Sequence, residues 1–339
     1  MPLTLSTELL DLRLRHPFII ARGGKSEVRT VMVKITDDDG HEGWGEAAAT
    51  PFYGETLDTV QAALPRYADV LGEDPQQLEA IEARLEAALG RNAAARAAVS
   101  AALHDLVAKR AGLSLCRYWG LDPAAAPQST FTIGMDTAEM VRTKVLEASD
   151  YPVLKIKLGG DRDRELLETI RSVTDRELRV DANCGWTGTQ AVAMLPVLEE
   201  FGVTLLEQPV APHDLEGFRR IRRHARIPVI ADESCVTAND IPALVGAVDG
   251  INIKLAKCGS LREALRMIAV ARTHGMMVMV GCMIESSLGI TAAAHFTPLV
   301  DVVDLDGAAL LSQDPFVGAT IDGGQVRIPD GAGLGVSRR

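Results

Sequence analysis

Polar residues recur at a nearly constant step through the middle of the chain, each closing a short apolar run: Lys155 and Lys157, then Asp181, Glu207, Asp232 and Lys254. Measured from Lys157, the steps are 24, 26, 25 and 22 residues. That is the length of one strand, one helix and their connections in a β/α repeat. A helical crossover starts each new strand in the same direction, so the repeat builds a parallel sheet. Further runs ending near Gly134, Gly281 and Asp306 bring the strands after Gln128 to eight, the number of a closed barrel. An open doubly wound sheet would carry a glycine-rich phosphate turn after its first strand. Gly159-Gly160, after the second strand, has neither that spacing nor the Walker spacing.

The first part of the chain lacks this rhythm. Leu3 to Leu14, Val28 to Thr36 and His41 to Glu46 read as strands, the last two joined by a hairpin turn at Asp37-Asp38-Asp39-Gly40. Ile20 to Ser26 reads as a glycine-bearing loop, and Thr50 to Glu55 as a second loop. Helical pattern then runs from Leu57 to Lys109 and is Ala-rich from Ala94. Three strands followed by helices make an α+β domain. The expected division is 1–120 for this domain, 121–310 for the barrel, and 311–339 for a tail of short strands and turns that packs back on the first domain.

Composition narrows the function classes. Hydrophobic residues make up 47% of the chain and aromatic residues only 4%, which suits Ala-rich helices around a β-branched barrel. The formal charge is −11, from 35 basic against 46 acidic residues, whereas a nucleic-acid partner calls for a basic face. The five cysteines are odd in number and show no C-x-x-C pairing, which argues for reduced thiols rather than zinc or disulfides. Met1 to Thr7 lacks the charged-then-apolar pattern of a secretory signal, and no apolar run reaches 18 residues. A soluble cytoplasmic protein without a membrane partner is expected.

Asp181, Glu207 and Asp232 close consecutive strands and would converge at the barrel mouth. One acid at a strand end can cap the next helix, but three packed together repel unless a cation joins them. An all-carboxylate set without His or Cys suits Mg²⁺, with Mn²⁺ as the alternative. Lys155 and Lys157 alternate on one strand and share its face. Their proximity disfavours double charging and lowers the pKa of one, as a lysine base requires. Strands two and six lie on opposite sides of an eight-stranded barrel, so Lys157 and Lys254 would face each other across the metal. One could remove a proton from one face of a carbon and the other return it to the opposite face. Lys257 reads as a loop lysine past the strand end.

As a set, K-x-K, D-A-N-x-x-W (Asp181 to Trp186), E-Q-P, A-D-E-S and N-I-K resemble the enolase superfamily, in its muconate-lactonizing subgroup, over nearly the whole chain. The resemblance implies a (β/α)7β modified TIM barrel with an α+β capping domain built from the N-terminal region and the C-terminal tail. It also implies Mg²⁺ on Asp181, Glu207 and Asp232, and proton abstraction α to a carboxylate. Lys157 and Lys254 are then the acid/base pair, with Lys155 tuning Lys157.

Within the subgroup, the last strand discriminates. Asp304 and Asp306 alternate toward the mouth and need a cation, which a substrate ammonium would supply. This D-x-D resembles the dipeptide epimerases, as do Phe18 to Gly23, Ala231 to Cys235 and Gly281-Cys282-Met283, with the L-Ala-D/L-Glu type the nearest in texture. In that type an arginine of the first capping loop is expected on the substrate's side-chain carboxylate. Lys25 stands there, with Arg22 nearby, and a lysine lacks the bidentate fork. Tyr53, with Phe52, would close over the substrate from the second capping loop. The expectation is a small dipeptide substrate epimerised at its C-terminal residue by an enzyme that assembles as a homo-oligomer. N-acylamino acid racemase, o-succinylbenzoate synthase and cycloisomerase remain as alternatives of the same superfamily.

Overall fold

The computed structural model describes residues 2–339. The N-terminal sheet is antiparallel, in the order β1 (Thr4–Ile20), β2 (Gly23–Thr36) and β3 (Glu42–Ala47). Three helices follow: α1 (Leu57–Ala68), α2 (Leu78–Ala88) and α3 (Ala93–Arg110). Helix α3 lies directly on β3, and sequence dictates how closely. A Cβ added at Gly43 would stand 1.9 Å from the Ala102 carbonyl oxygen, and one at Gly45 2.1 Å from that of Ala98. Two glycines facing an alanine-rich helix therefore bring backbone against backbone.

The stretch read as a loop at Ile20 to Ser26 is instead mostly strand. β1 runs six residues beyond the expected Leu14, to Ile20, and β2 starts at Gly23, so only Ala21-Arg22 turns. The register shifts between Arg13 and Phe18, and Pro17 sits in that irregularity, where its missing N–H costs no ladder bond. Beyond it Phe18, Ile19 and Ile20 pair with Lys25, Gly24 and Gly23. The glycines that suggested a loop serve the tip of a long hairpin.

The second sheet holds eight parallel strands in strict sequence order: β4 (Phe131–Ile133), β5 (Val153–Lys157), β6 (Glu177–Asp181), β7 (Val203–Glu207), β8 (Val229–Ala231), β9 (Gly250–Ile253), β10 (Met277–Gly281) and β11 (Val302–Asp304). A parallel bridge between Ser129 and Val303 joins the last strand to the start of the first and closes the barrel. Strand residues that face outward, such as Leu154, Ile156 and Val180, belong to the main core with the surrounding helices. Leu205, Ile230, Met279 and Val302 form a separate small cluster. Each stands two positions before a residue at the mouth (Glu207, Asp232, Gly281 and Asp304), so they share the inward face and form an apolar floor beneath the mouth.

The tail touches both regions. Phe316 lies 6.2 Å from Trp44 of β3, and the Leu334 amide donates to Asp105 of α3 at 2.6 Å. Toward the barrel, Ser129 N donates to the Gly324 carbonyl at 2.7 Å and the Tyr151 hydroxyl to that of Ile321 at 3.2 Å. Among the described residues no helix is long and apolar enough to cross a membrane.

Candidate active site at the barrel mouth

Strand register sets the heights of the site residues. Lys157 pairs with Asp181, and Asp181 with Glu207, so these three share one level on β5, β6 and β7. Asp232 and Lys254 each stand one residue beyond the ends of β8 and β9. Asp181, Glu207 and Asp232 each offer an oxygen within 4.8 Å of the others, and all three are fully buried.

Each carboxylate is pinned by one oxygen and presents the other. Asp181 Oδ1 accepts from the Asn183 amide at 2.8 Å, Glu207 Oε1 from Asn252 Nδ2 at 2.7 Å, and Asp232 Oδ1 from Lys257 Nζ at 2.5 Å. The second oxygens meet lysines. Asp181 Oδ2 lies 2.7 Å from Lys157 Nζ, Glu207 Oε2 2.7 Å from Lys155 Nζ, and Asp232 Oδ2 2.6 Å from Lys254 Nζ. Glu207 Oε2 is nonetheless outside hydrogen-bonding alignment and is left without a hydrogen-bond partner. Three converging buried carboxylates, with one Glu207 oxygen lacking an aligned donor, form a site that could hold a hard cation. The all-oxygen donor set fits Mg²⁺.

Burial opposes every charge here, and the neighbours decide the outcome. Lys157 and Lys155 overcome burial at Asp181 and hold it down at about 2. Lys254 and Lys257 hold Asp232 well below the usual range. Burial and Asp181 push Glu207 up to about 8, against the pull of Lys155. Lys155 departs from the expectation that like-charge repulsion governs the lysine pair. Despite burial it is shifted upward, because Asp304, Glu207 and Asp181 lie at 2.7, 2.7 and 3.4 Å. Lys254 is likewise raised against burial, by Asp232 and Glu207.

Asp304 and Asp306 divide. Asp304 has its cation within the protein, in Lys155, and also accepts from the Thr130 hydroxyl. Asp306 accepts from the Thr132 amide at 2.6 Å, and among the described residues no cation lies within 4 Å of it. Burial and Asp304 push Asp306 up to about 7.

The capping residues meet the mouth from above. Arg22, in the hairpin turn, reaches the Asn183 carbonyl and Glu233, each at 2.7 Å, and lies 4.2 Å over the Phe52 ring. Phe18 lies 5.9 Å from Lys157 Nζ. Tyr53 packs edge-on to Phe52 at 5.0 Å, and its hydroxyl is shifted upward by burial, then by Asp232 and Glu233. Lys25 is exposed on β2, opposite Phe18.

Lys257 corrects the sequence reading. It lies past the strand end as expected but sits on the short helix Leu255–Cys258 rather than in a loop, and is only 1% exposed. Its ammonium also meets the carbonyls of Asp232, Asn252 and Cys235 at 2.6, 2.8 and 3.0 Å. The helix turns the side chain back under β8, which no strand periodicity could reveal. Gln208 was also overlooked. Its φ of 35° lies in the left-handed region, held there by its side chain, whose Oε1 accepts from the amides of Asp232 (2.8 Å) and Ser234 (3.2 Å). Asn183, Gln208 and Asn252 all stood inside the motifs singled out from sequence, and each turns out to hold a carboxylate or its loop.

Comparison with known proteins agrees with this geometry. Residues 5–120 match the mandelate racemase/muconate lactonizing enzyme N-terminal domain, and residues 136–339 the enolase C-terminal domain-like family. An L-Ala-D/L-Glu epimerase of Bacteroides thetaiotaomicron is 43% identical over 330 residues, covering 97% of this chain and 86% of that protein. The dipeptide epimerase of Enterococcus faecalis, solved with Mg and L-Leu-L-Tyr, superposes with a TM-score of 0.94 at 32% identity over 100% of both chains. The substrate-liganded L-Ala-D/L-Glu epimerase of Bacillus subtilis gives 0.93 at 32% identity over 99% of each. The chain belongs to the mandelate racemase/muconate lactonizing enzyme family of the enolase superfamily.

Proposed function

We propose that this protein is a Mg²⁺-dependent dipeptide epimerase, an isomerase that inverts the α-carbon of the C-terminal residue, with L-Ala-D/L-Glu as the leading substrate. The observation that carries the reading is the pair of buried lysines, Lys157 and Lys254, on opposite sides of one carboxylate cluster. The relatives named above support the substrate class.

Asp181, Glu207 and Asp232 would hold the cation, which stabilises the negative charge that develops when a carbon acid next to a carboxylate loses its proton. The chain's own residues do the rest. One of Lys157 and Lys254 enters as the free amine and takes the α-proton from its face. The other enters as the ammonium and delivers a proton to the opposite face, so configuration inverts. Reversal exchanges their roles, so both hands of substrate are handled. Lys155 stays charged between Glu207 and Asp304 and fixes both. Asp306 receives the substrate's α-ammonium, a charge-assisted contact that a muconate or succinylbenzoate substrate could not make. The apolar ring of Phe18 and the capping loops exclude water from the carbanion. Five unpaired cysteines support placement in the cytoplasm.

The test is proton NMR in D₂O with Mg²⁺ over a panel of dipeptides. L-Ala-L-Glu should lose its Glu α-proton signal and give the L,D diastereomer. Turnover of N-acylamino acids with no exchange in any dipeptide would sink the assignment.

A further inference from the structure

We propose that Arg22 is a positioning residue that pins the capping hairpin onto the barrel through Glu233, and that it does not bind the substrate. The inference builds on the epimerase reading only in its kinetic test.

One side chain joins four segments. Arg22 sits at the hairpin tip, donates to the Asn183 carbonyl after β6, pairs with Glu233 after β8 and covers Phe52 of the second capping loop. The Arg22 side chain is 32% exposed, whereas that of Glu233 is 1% exposed. Among the described residues Arg22 is the cation within 4 Å of that carboxylate, and Glu233 Oε2 has no hydrogen-bond partner. Removing one partner from a buried ion pair leaves an uncompensated charge, which is strongly unfavourable. A guanidinium that turned away to meet a substrate anion would strand Glu233 next to Asp232. It would also uncover Phe52, which stacks on it.

The rest of the hairpin tip is seated by shape rather than charge. Ile19 O accepts from the Met135 amide at 2.9 Å. A Cβ on Gly159 would stand 3.1 Å from the Ala21 methyl, so that glycine gives the tip its seat. Arg22 supplies the charged contact that makes the seated position differ sharply in energy from a lifted one. The hairpin also carries Phe18, which lies over Lys157, so seating the tip places the roof of the site.

Hydrogen exchange on the substrate-free protein provides the first arm. In Arg22→Met, amides 18–24 should exchange at least tenfold faster than in the wild type, with Arg22→Lys intermediate because it keeps the charge and loses the planar stack. Steady-state kinetics provide the second arm. KM for L-Ala-L-Glu and for an apolar dipeptide should rise by the same factor, roughly tenfold or more, leaving the preference between them unchanged. Unaltered exchange at the tip, or a loss confined to acidic dipeptides, would overturn the proposal. Should Arg22→Met fail to fold, Arg22→Lys carries both comparisons. If the wild type epimerises no dipeptide, the functional reading fails while the exchange arm still decides the role of Arg22.

Discussion

Asp304 and Asp306 stand two positions apart on one strand end, and their partners separate them. Asp304 is neutralised internally by Lys155 at 2.7 Å, while among the described residues Asp306 has Thr132 as its close donor and no cation within 4 Å. A substrate ammonium therefore gains more from Asp306. Hydrogen bonds to charged groups contribute about 1.5–3 kcal/mol, so Asp306→Asn should raise KM for dipeptides about ten- to hundredfold and leave N-acylamino acid turnover nearly unchanged. Equal losses on both substrate types would refute the ammonium role. The two lysines make a different prediction, because each serves one face. Lys157→Ala and Lys254→Ala should each reduce epimerisation by at least about a thousandfold, within the range for acid–base catalysis. Each variant should still exchange the α-proton of one diastereomer with D₂O, and the two variants should retain opposite ones. Full epimerase activity in either would refute the two-base scheme. These residues were legible in sequence because each ends an apolar run at a fixed step. Lys257 was not, since its role depends on a helical turn that folds it back beneath Asp232. The pairing of Asp304 with Lys155 was also hidden, because it spans the closure of the barrel from last strand to second.

At the level of elements, sequence periodicity located the barrel strands to within two residues of their ends and the hairpin turn at Asp37 to Gly40, but read the tip of the β1–β2 hairpin as a loop. The barrel repeats one local pattern, whereas the hairpin tip is held by contacts to Met135, Gly159 and Glu233 far along the chain. A similar long-range junction joins α2, α3 and the helix Leu261–Thr273. Ser100 of α3 donates to Glu82 of α2 and accepts from the Leu261 amide at 3.1 Å. Burial raises Glu82 to about 7, above its ordinary 4.5. The folded state then binds more protons than the unfolded one between those values. The Glu82 contribution is fully present below pH 4.5 and is lost as pH rises through 7. His104, 3.7 Å away, is lowered by burial and acts in the opposite sense, losing its contribution as pH falls below its ordinary 6.5. Glu82→Gln keeps an oxygen for Ser100 and removes only the carboxyl titration. It should match the wild type at pH 5 in thermal melts and be more stable at pH 9, by up to about 3 kcal/mol. A variant less stable than wild type at pH 9 would show that the ionised carboxylate is needed.

For the whole molecule, the barrel concentrates charge at one end of an otherwise apolar interior. The floor of Leu205, Ile230, Met279 and Val302 lies under Asp181, Glu207 and Asp232, all fully buried. Folding must bring those three acids together, and in the unfolded chain they are far apart and solvated. A cation that binds the assembled cluster and not the separated residues stabilises the fold by mass action, by about 2.7 kcal/mol at a hundredfold excess over its Kd. With an unfolding entropy near 2.1 cal/mol/K per residue and 339 residues, that corresponds to a rise in Tm of about 4 °C. Chelator-treated protein should therefore melt lower than the same protein in Mg²⁺, and the shift should grow logarithmically with concentration once the site is filled. Ca²⁺ should shift Tm less if the three carboxylates set a compact, nearly octahedral site, because the larger ion seeks more oxygens at longer distance. Asp232→Asn separates this site from incidental binding to the acidic surface. That variant keeps the size of the side chain at the end of β8 but replaces one of the two oxygens that accept from Lys254 and Lys257 with a donor, so the cluster is weakened and its melt should be nearly indifferent to Mg²⁺. A wild-type Tm that does not respond to Mg²⁺, or an Asp232→Asn variant that responds as the wild type does, would place the cation elsewhere and remove the electrostatic basis for proton abstraction between Lys157 and Lys254.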